Sequence, residues 1–385
     1  MKNKLKLLPV LLLVLALTLS TAACGQDETV PTTMATTAPS TTQTPTTTPT
    51  TTETTVPTTT ATTVAPTPVP ANGELPAAAA GENILTGLPL ADAARQNVRP
   101  IAIMINNIKI ATPQLGINKA DLYYEMVVEG GITRMMMVFA DPATVPEIGS
   151  IRSARHNYID LAGGHDAIYV HVGSSYAANE QIARQKTDDI DMMSSGSAFW
   201  RDPAWARDRG REHSVRTTGD RLVKAIANRK YRATLEGTPL SAFNFLAEAA
   251  PAADPAANAA KEISVRFSNY TTARFVYDEA TKLYTKHQFG KPQIDLADNK
   301  GLSTTNVLVL QTTITSFEGT SLRDIDLSEG TGYYASLGGY KKLKWKKGDT
   351  KDPILLQNED DSPLQINRGK TFIAIQDKSS SLSFG

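Results

Sequence analysis

The chain has 385 residues, and its 39 lysines and arginines balance its 39 aspartates and glutamates, so its formal net charge is zero. A neutral chain has no global field to attract nucleic acid, which argues against that class of partner. It contains a single cysteine, which excludes an intramolecular disulfide.

The first 23 residues are typical of a secretory signal peptide. Lys2, Lys4 and Lys6 precede an apolar run from Leu7 to Leu17. A membrane-spanning helix needs about 20 apolar residues, so this run is too short to cross a bilayer. We therefore predict that residues 1–23 are removed during export.

Cys24 stands directly after this segment. The junction Thr21-Ala22-Ala23-Cys24 resembles the lipobox of bacterial lipoproteins, although Leu is usual where Thr21 stands. The resemblance implies that Cys24 carries a diacylglyceryl group, joined by a further acyl chain such as palmitate, and tethers the protein to the outer face of the cell membrane. The alternative is ordinary cleavage, which leaves a soluble secreted protein with a free thiol.

Residues 24–80 are predicted to form a disordered stalk. Val30 to Pro70 consists almost only of Thr, Pro and Ala, and Glu53 is its only charged residue. Such a segment cannot bury enough apolar surface to offset its conformational entropy. At about 3 Å per residue, forty extended residues reach on the order of 100 Å, enough for a spacer through a cell wall.

Residues 81–246 are predicted to form an α/β domain with a mixed sheet and helices. Ile101 to Ile105 is a continuous apolar run, as in a strand buried on both faces. Leu122 to Val128 and Met135 to Phe139 are two further strands, joined across Gly130-Gly131 as a hairpin.

Helices are predicted where polar caps follow the strands. Ser153 is predicted to cap a helix that ends at Gly163-Gly164, and Ser174-Ser175 to cap a helix from Tyr176 to Gln185. The strand between them runs from Asp166 to Gly173, and a last helix runs from Gly219 to Asn228.

A Pro/Ala-rich segment at residues 247–260 is predicted to be a linker to a smaller β-rich α+β domain at 261–385. Strand patterns dominate this second part, in segments starting near Ile263, Ala273, Val307, Lys342 and Thr371. Trp345 lies among four lysines, which indicates either a ligand platform or, as we favour, a half-buried strand with a solvated basic face.

Several motifs resemble the YerB-like lipoprotein family of bacteria. They are Arg99-Pro100 with Ile101 to Asn107, Tyr124-Glu125, Val128 to Arg134, Gly149 to Arg155, Phe199 to Asp202 and Gly369 to Ile373. The loop Glu212-His213-Ser214-Val215 departs from the family's usual Pro-His-Asn-Leu. The resemblance covers essentially the whole globular region and implies a separate carboxy-terminal domain, but it brings no biochemical activity with it.

The candidate site is an arginine- and histidine-rich cleft in the first domain that binds an anion. Guanidinium groups present forked donors suited to phosphate or carboxylate, and strand ends of open α/β sheets collect ligand groups. The residues assigned to it are Glu129, Arg134, Arg152, Arg155, His156, His171, Arg201, Asp202 and His213.

Two other interpretations stay open. The arginines could pair internally with nearby carboxylates and only fasten loops. Alternatively, the same cleft could serve a cell-wall or polysaccharide hydrolase with His and carboxylate residues as acid and base. Paired metal-ligand spacings are absent from the sequence, so we predict no metal and no cofactor. The sequence thus favours an extracytoplasmic binding or scaffold module whose partner is an anionic wall polymer or another envelope protein, and it leaves the oligomeric state undetermined.

Overall fold

The computed structural model describes residues 74–247 and 258–385. The predicted signal peptide, Cys24 and the stalk up to residue 73 lie outside the described residues, as does most of the predicted linker. All of the described residues belong to one compact unit.

In the described part of the chain the α-helices all precede residue 230: α1 (His156–Gly163), α2 (Tyr176–Gln185), α3 (Pro203–Arg209) and α4 (Gly219–Arg229). The strands of the first half are β1 (Ile101–Asn106), β2 (Leu122–Val127), β3 (Thr133–Phe139), β4 (Ile148–Gly149), β5 (Ile168–His171), β6 (Asp189–Asp191), β7 (Trp200–Arg201), β8 (Val215–Thr217) and β9 (Asn244–Phe245).

The second half is built from strands and short turns. Its strands are β10 (Glu262–Arg266), β11 (Thr272–Asp278), β12 (Leu283–Gln288), β13 (Lys291–Pro292), β14 (Ser303–Thr304), β15 (Asn306–Thr312), β16 (Ile314–Ser316), β17 (Arg323–Ile325), β18 (Glu329–Ser336), β19 (Gly339–Lys347), β20 (Ile354–Gln357), β21 (Gln365–Ile366), β22 (Thr371–Asp377) and β23 (Leu382–Phe384). The predicted fold class, a mixed α/β first part followed by a β-rich second part, is confirmed.

A ten-stranded mixed sheet joins the two halves. Its order is β20-β19-β18-β15-β22-β2-β3-β1-β5-β6. The junction is the parallel pairing of β2 with β22, which sets Leu122 opposite Thr371 and Met126 opposite Ile375. The two halves therefore share one sheet, which the sequence-based division into domains did not anticipate.

Both faces of this sheet are covered. One face packs on α1 and on Ala178 of α2, and the other packs on α4 and on a smaller sheet of order β13-β12-β11-β10-β23. Every residue of β1, β2 and β3 is buried for this reason, as a continuous apolar run predicts. The β2–β3 hairpin is also confirmed, with Tyr124 opposite Met136.

Three local predictions need correction. Ser153 does not cap α1: the helix begins at His156, because the segment before it is hydrogen-bonded to strand ends and cannot turn into a helix. Trp345 lies on strand β19, as we favoured, but it is buried and not half-buried: it is 1% exposed and its Nε1 donates to the Thr331 carbonyl, which also argues against the ligand platform. Ordered structure also begins before Gly81, because Ala77 forms a β-bridge with Leu240.

The remaining helix predictions hold. Ser175 caps α2 by accepting from the Ala178 amide, and α4 begins at Gly219. Among residues 74–247 and 258–385, no helix combines the length and apolarity needed to cross a bilayer.

Candidate functional site

Glu129 lies on a tight turn between β2 and β3. Gly130 and Gly131 both have positive φ, at 69° and 72°, a conformation that side chains with a Cβ rarely adopt. The turn is fixed from the second half of the chain, because the Ser268 hydroxyl donates to the Gly131 carbonyl at 2.5 Å. The strands thus hold the Glu129 carboxylate at a sheet end.

Two arginines converge on this carboxylate. Arg155 Nε lies 2.8 Å from Glu129 Oε2 and its Nη2 bonds Oε1, while Arg134 Nη2 lies 3.1 Å from Oε1. Arg134 is nearly buried and also donates to the Ser153 carbonyl at 2.5 Å. These two predicted site residues therefore pair internally, as the structural alternative expects.

Arg152 approaches the same place but has no such partner. Its backbone N–H bonds the Met104 carbonyl and its own carbonyl accepts from Val172, so the backbone is fixed between two strand ends. Its guanidinium makes one hydrogen bond to a described residue, at 3.3 Å to the Glu212 carbonyl. Arg152 is thus the arginine of this group with donors to spare.

The charges in this group act on each other. Burial and the neighbouring charge of Arg155 lower the pKa of Arg134 to about 10. Burial raises the pKa of Glu129, but the Arg155 hydrogen bond and the charges of Arg134 and Arg155 outweigh it and bring the pKa down to about 2. Burial also lowers the pKa of Arg152. The charge of Glu212 raises this pKa in part, and the charge of Arg155 lowers it further. One carboxylate is therefore held ionised among mutually repelling cations.

A second pair of arginines continues this surface. Arg201 Nη1 bonds the Arg211 carbonyl, and burial together with the charge of Arg211 lowers the Arg201 pKa. A backbone hydrogen bond lowers the pKa of Glu212, and the charges of Arg152 and Arg201 lower it further. We call the five residues Arg134, Arg152, Arg155, Arg201 and Arg211 the arginine cluster.

Of the predicted histidines, two have structural roles. His213 is 5% exposed, and its Nδ1 accepts from Asn106 Nδ2 at 2.8 Å, which places the ring proton on Nε2. Burial and the charge of Arg152 lower its pKa, so the ring is neutral. His171 is 1% exposed and is held by the Gly173 carbonyl at 2.9 Å and by Asp189 at 3.1 Å.

The other two predicted residues contact different parts of the fold. His156 packs on the Phe317 ring with centroids 4.6 Å apart, and its Nε2 lies 3.6 Å from Asp324 Oδ1. Asp202 caps α3 through the Trp205 amide and pairs with Arg216 at 3.0 Å. Neither side chain makes a hydrogen bond or ion pair with the arginine cluster in the described structure.

A buried ion pair escaped the sequence prediction. Glu125 Oε2 on β2 lies 3.0 Å from Lys286 Nζ on β12, and both side chains are 0% exposed. Asn107 and Thr133 donate to the other carboxylate oxygen, at 2.7 and 2.6 Å, and Lys286 donates to Gln293 at 2.7 Å. The sequence sign of this ion pair was Glu125 itself, a glutamate within an otherwise mostly apolar strand.

The sequence analysis also did not predict a cavity. It measures about 520 Å³ and lies between the C-terminal ends of α1 and α2 and residues 235–242. None of the nine predicted site residues lines it. Within the described ranges, no group of three or more His, Cys, Asp or Glu side chains is arranged to hold a metal ion.

Comparisons with family models, with known proteins and with solved structures all identify the same family. The family model described as "Protein of unknown function (DUF3048) N-terminal domain" matches residues 85–232, and the model of the C-terminal domain matches residues 263–373. "Putative lipoprotein YerB" of Bacillus subtilis (strain 168) is 30% identical over 297 residues, 76% of this chain and 85% of that protein. The crystal structure of YerB protein from Bacillus subtilis matches with a TM-score of 0.68 and 26% identity, over 79% of this chain and 99% of that chain.

Proposed function

This chain belongs to the family of proteins of unknown function called DUF3048, and from that premise we propose that it is a lipid-anchored module outside the cell membrane that binds an anionic ligand through the arginine cluster. Cys24 supplies the anchor and the Thr/Pro-rich stalk supplies the reach. A phosphate-bearing polymer of the envelope is the favoured ligand, and an acidic face of another envelope protein is the second.

The observation that carries this proposal is an imbalance of charge. The five guanidinium groups of the arginine cluster have two carboxylates near them, those of Glu129 and Glu212. Arg134 is buried, and the other four arginines are partly or fully exposed. The charges of Arg155 and Arg152 lower the pKa of Arg134, and the charge of Arg155 lowers the pKa of Arg152, as expected when like charges lie close together. A bound anion relieves that repulsion and accepts from planar guanidinium donors, which bind phosphate well.

Binding is favoured over hydrolysis by the histidines. A general base must reach the substrate within hydrogen-bond distance. His156, His171 and His213 are 6%, 1% and 5% exposed, and His171 and His213 are already hydrogen-bonded. The carboxylate of Asp202 is committed to the α3 cap and to Arg216. Burial of the three histidines and the contacts of Asp202 leave the hydrolase alternative without an accessible acid and base among these residues.

Arg152→Gln tests the proposal. Glycerol phosphate oligomers are titrated into the protein by calorimetry at low salt, with Arg207→Gln as control because Arg207 is exposed on α3 and pairs with Asp208. Loss of one charged hydrogen bond is worth about 1.5–3 kcal/mol, so Arg152→Gln should weaken binding by roughly 10- to 150-fold. Equal affinity of Arg152→Gln and wild type, or the absence of saturable binding, overturns the proposal, and release of glycerol phosphate would favour the hydrolase.

A further inference from the structure

The 520 Å³ cavity has the size of a small-molecule site. Pockets that enclose organic ligands measure about 300–1,000 Å³ and combine apolar walls with a few placed polar groups. This cavity is formed by segments far apart in sequence, including Leu85, Ile159, Leu240 and Pro353. It shares no residue with the arginine cluster, so it is a separate site.

One wall is apolar. Leu85, Ile159, Ala167, Leu235, Leu240 and Ala242 line it. Leu240 is 50% exposed, which is unusual for a leucine that borders a recess of this size. Apolar surface of this kind is stabilised when an apolar body covers it, at about 25 cal/mol per Å² removed from water.

A second wall is polar, and its cations are all paired with carboxylates. Arg99 bonds Asp188 and the Asp166 carbonyl, the latter at 2.6 Å, and Arg232 Nη2 lies 2.6 Å from Asp166 Oδ1. Arg232 also lies 3.2 Å from Glu236. Each of these cations already has a carboxylate, so the wall offers no free cation to a ligand, and its two guanidinium groups against three carboxylates leave it with a net charge of −1.

His165 adds a neutral donor. Burial and the charge of Lys347 lower its pKa to about 4, so the ring is uncharged at neutral pH. Its Nε2 lies 2.7 Å from the Tyr124 hydroxyl. With Tyr124 donating to Nε2, the ring proton is on Nδ1, and that atom has no partner among the described residues.

Two lysines at the rim supply the uncompensated charge. Lys186 follows α2 and Lys351 precedes Pro353; both line the cavity and both are exposed. Within the described ranges neither forms an ion pair, in contrast to Arg99 and Arg232. The rim therefore supplies two cations without an ion-pair partner, while the interior is apolar on one side and lined by paired charges on the other.

We propose that this cavity is a binding site for an anionic amphiphile, a molecule with an apolar body and one carboxylate, sulfonate or phosphate group. The body covers the leucine-lined wall, and the anionic group lies at the rim between Lys186 and Lys351. The volume limits the body to about the size of a drug-like molecule or a medium-length acyl chain.

The test uses the mature chain with Cys24→Ala, so that no attached acyl chain competes for the site. The probe is 1-anilinonaphthalene-8-sulfonate, which has an aromatic body and one sulfonate; N-phenyl-1-naphthylamine is its uncharged counterpart. We expect saturable fluorescence with one sulfonate probe per chain, displaced by decanoate but neither by decylammonium nor by the same concentration of inorganic sulfate. A cooperative thermal transition in the same sample excludes binding to a loosened state.

Three variants locate the site. Lys186→Glu/Lys351→Glu should weaken the sulfonate probe by at least about tenfold and leave the uncharged probe unchanged, since the double reversal removes the rim charge. Leu240→Asp should weaken both probes. Lys224→Glu/Lys291→Glu, a matched charge reversal at exposed positions outside the cavity, should change neither. No saturable signal, or an equal loss in the Lys224→Glu/Lys291→Glu control, overturns the proposal.

Discussion

Glu125 and Lys286 form an ion pair with 3.0 Å between Oε2 and Nζ, and neither side chain has any exposed surface. Glu125 is on β2 of the ten-stranded sheet and Lys286 is on β12 of the smaller sheet. The pair therefore connects the two sheets through the core. A buried ion pair is retained in a fold only where both charges are satisfied, because an unpaired buried charge is strongly destabilising.

Removal of one partner should therefore be severe. Lys286→Met leaves the Glu125 carboxylate buried without its cation and should lower the free energy of unfolding by about 3–5 kcal/mol. Glu125→Gln/Lys286→Met should lose less than the two single changes combined, since the glutamine oxygen still accepts from Asn107 and Thr133. Urea unfolding of the four proteins measures this, and losses that add to within about 0.5 kcal/mol would contradict a coupled pair.

Acid should weaken the fold through Glu129. Its folded-state pKa, about 2, lies below the ordinary value of 4.5. A depressed carboxyl pKa gives stability that is fully present above the ordinary value and is lost as the pH falls toward 2. Allowing for solvent screening, the loss is on the order of 1–2 kcal/mol. Melting curves between pH 5 and 2 should fall less steeply for Glu129→Gln than for the wild type; parallel curves would rule out this contribution.

Replacement of Arg155 should destabilise the fold more than replacement of Arg152. Arg155→Ala leaves Glu129 with only Arg134 and should cost about 1–3 kcal/mol. Arg152→Ala removes a side chain with one long hydrogen bond and should stay within about 0.5 kcal/mol of the wild type. Thermal unfolding of both variants measures this difference. Equal destabilisation by the two changes would assign Arg152 a fastening role and weaken its part in ligand binding.

Lipid attachment should depend on Cys24. No other thiol exists in the chain, so Cys24→Ala should move the protein from the membrane fraction to the medium. Immunoblots of fractionated cells measure the shift, with Cys24→Ser as a second variant. Retention of both variants in the membrane fraction is the result that would contradict thioether anchoring.

The folded part should tolerate removal of the stalk but not of the segment after it. A chain beginning at Glu74 should keep its melting temperature. A chain beginning at Gly87 loses buried Leu85, the Glu82–Arg368 ion pair and the bond from Asn83 to Asp121. Loss of such a buried leucine alone costs about 2–5 kcal/mol. A stable, cooperatively unfolding Gly87 chain would show that these contacts are dispensable.

Local sequence patterns predicted many of the strands, helices and turns because each pattern depends on the immediate surroundings of its residues. The apolar run at Ile101–Asn106 reports burial on both faces, and the paired glycines after Glu129 report a tight turn. The pairing of β2 with β22 leaves no such pattern in the sequence. About 250 residues separate the two strands, and the sequence of either strand is compatible with any parallel neighbour.

Some contacts among the predicted site residues could be anticipated from the sequence, and others could not. Arg134 and Arg155 do meet Glu129, because a hairpin turn and a helix start lie at adjacent strand ends. His156 turns toward Phe317, a contact across about 160 residues that the sequence gives no means to anticipate. Lys286 occupies a buried position in the alternating strand β12, and that alternation was the missed sign of its burial.

The position of β22 has a consequence for the order in which the protein acquires its structure. A chain that leaves a ribosome or a translocation channel from its N-terminal end presents β2 long before residues 371–377 emerge. Until then β2 has an unpaired edge in a mostly apolar strand, which is a template for association with other chains. A product that stops short of Thr371 lacks the strand between β15 and β2, so a truncated chain keeps that edge open to proteases and to aggregation, and only a finished chain closes it.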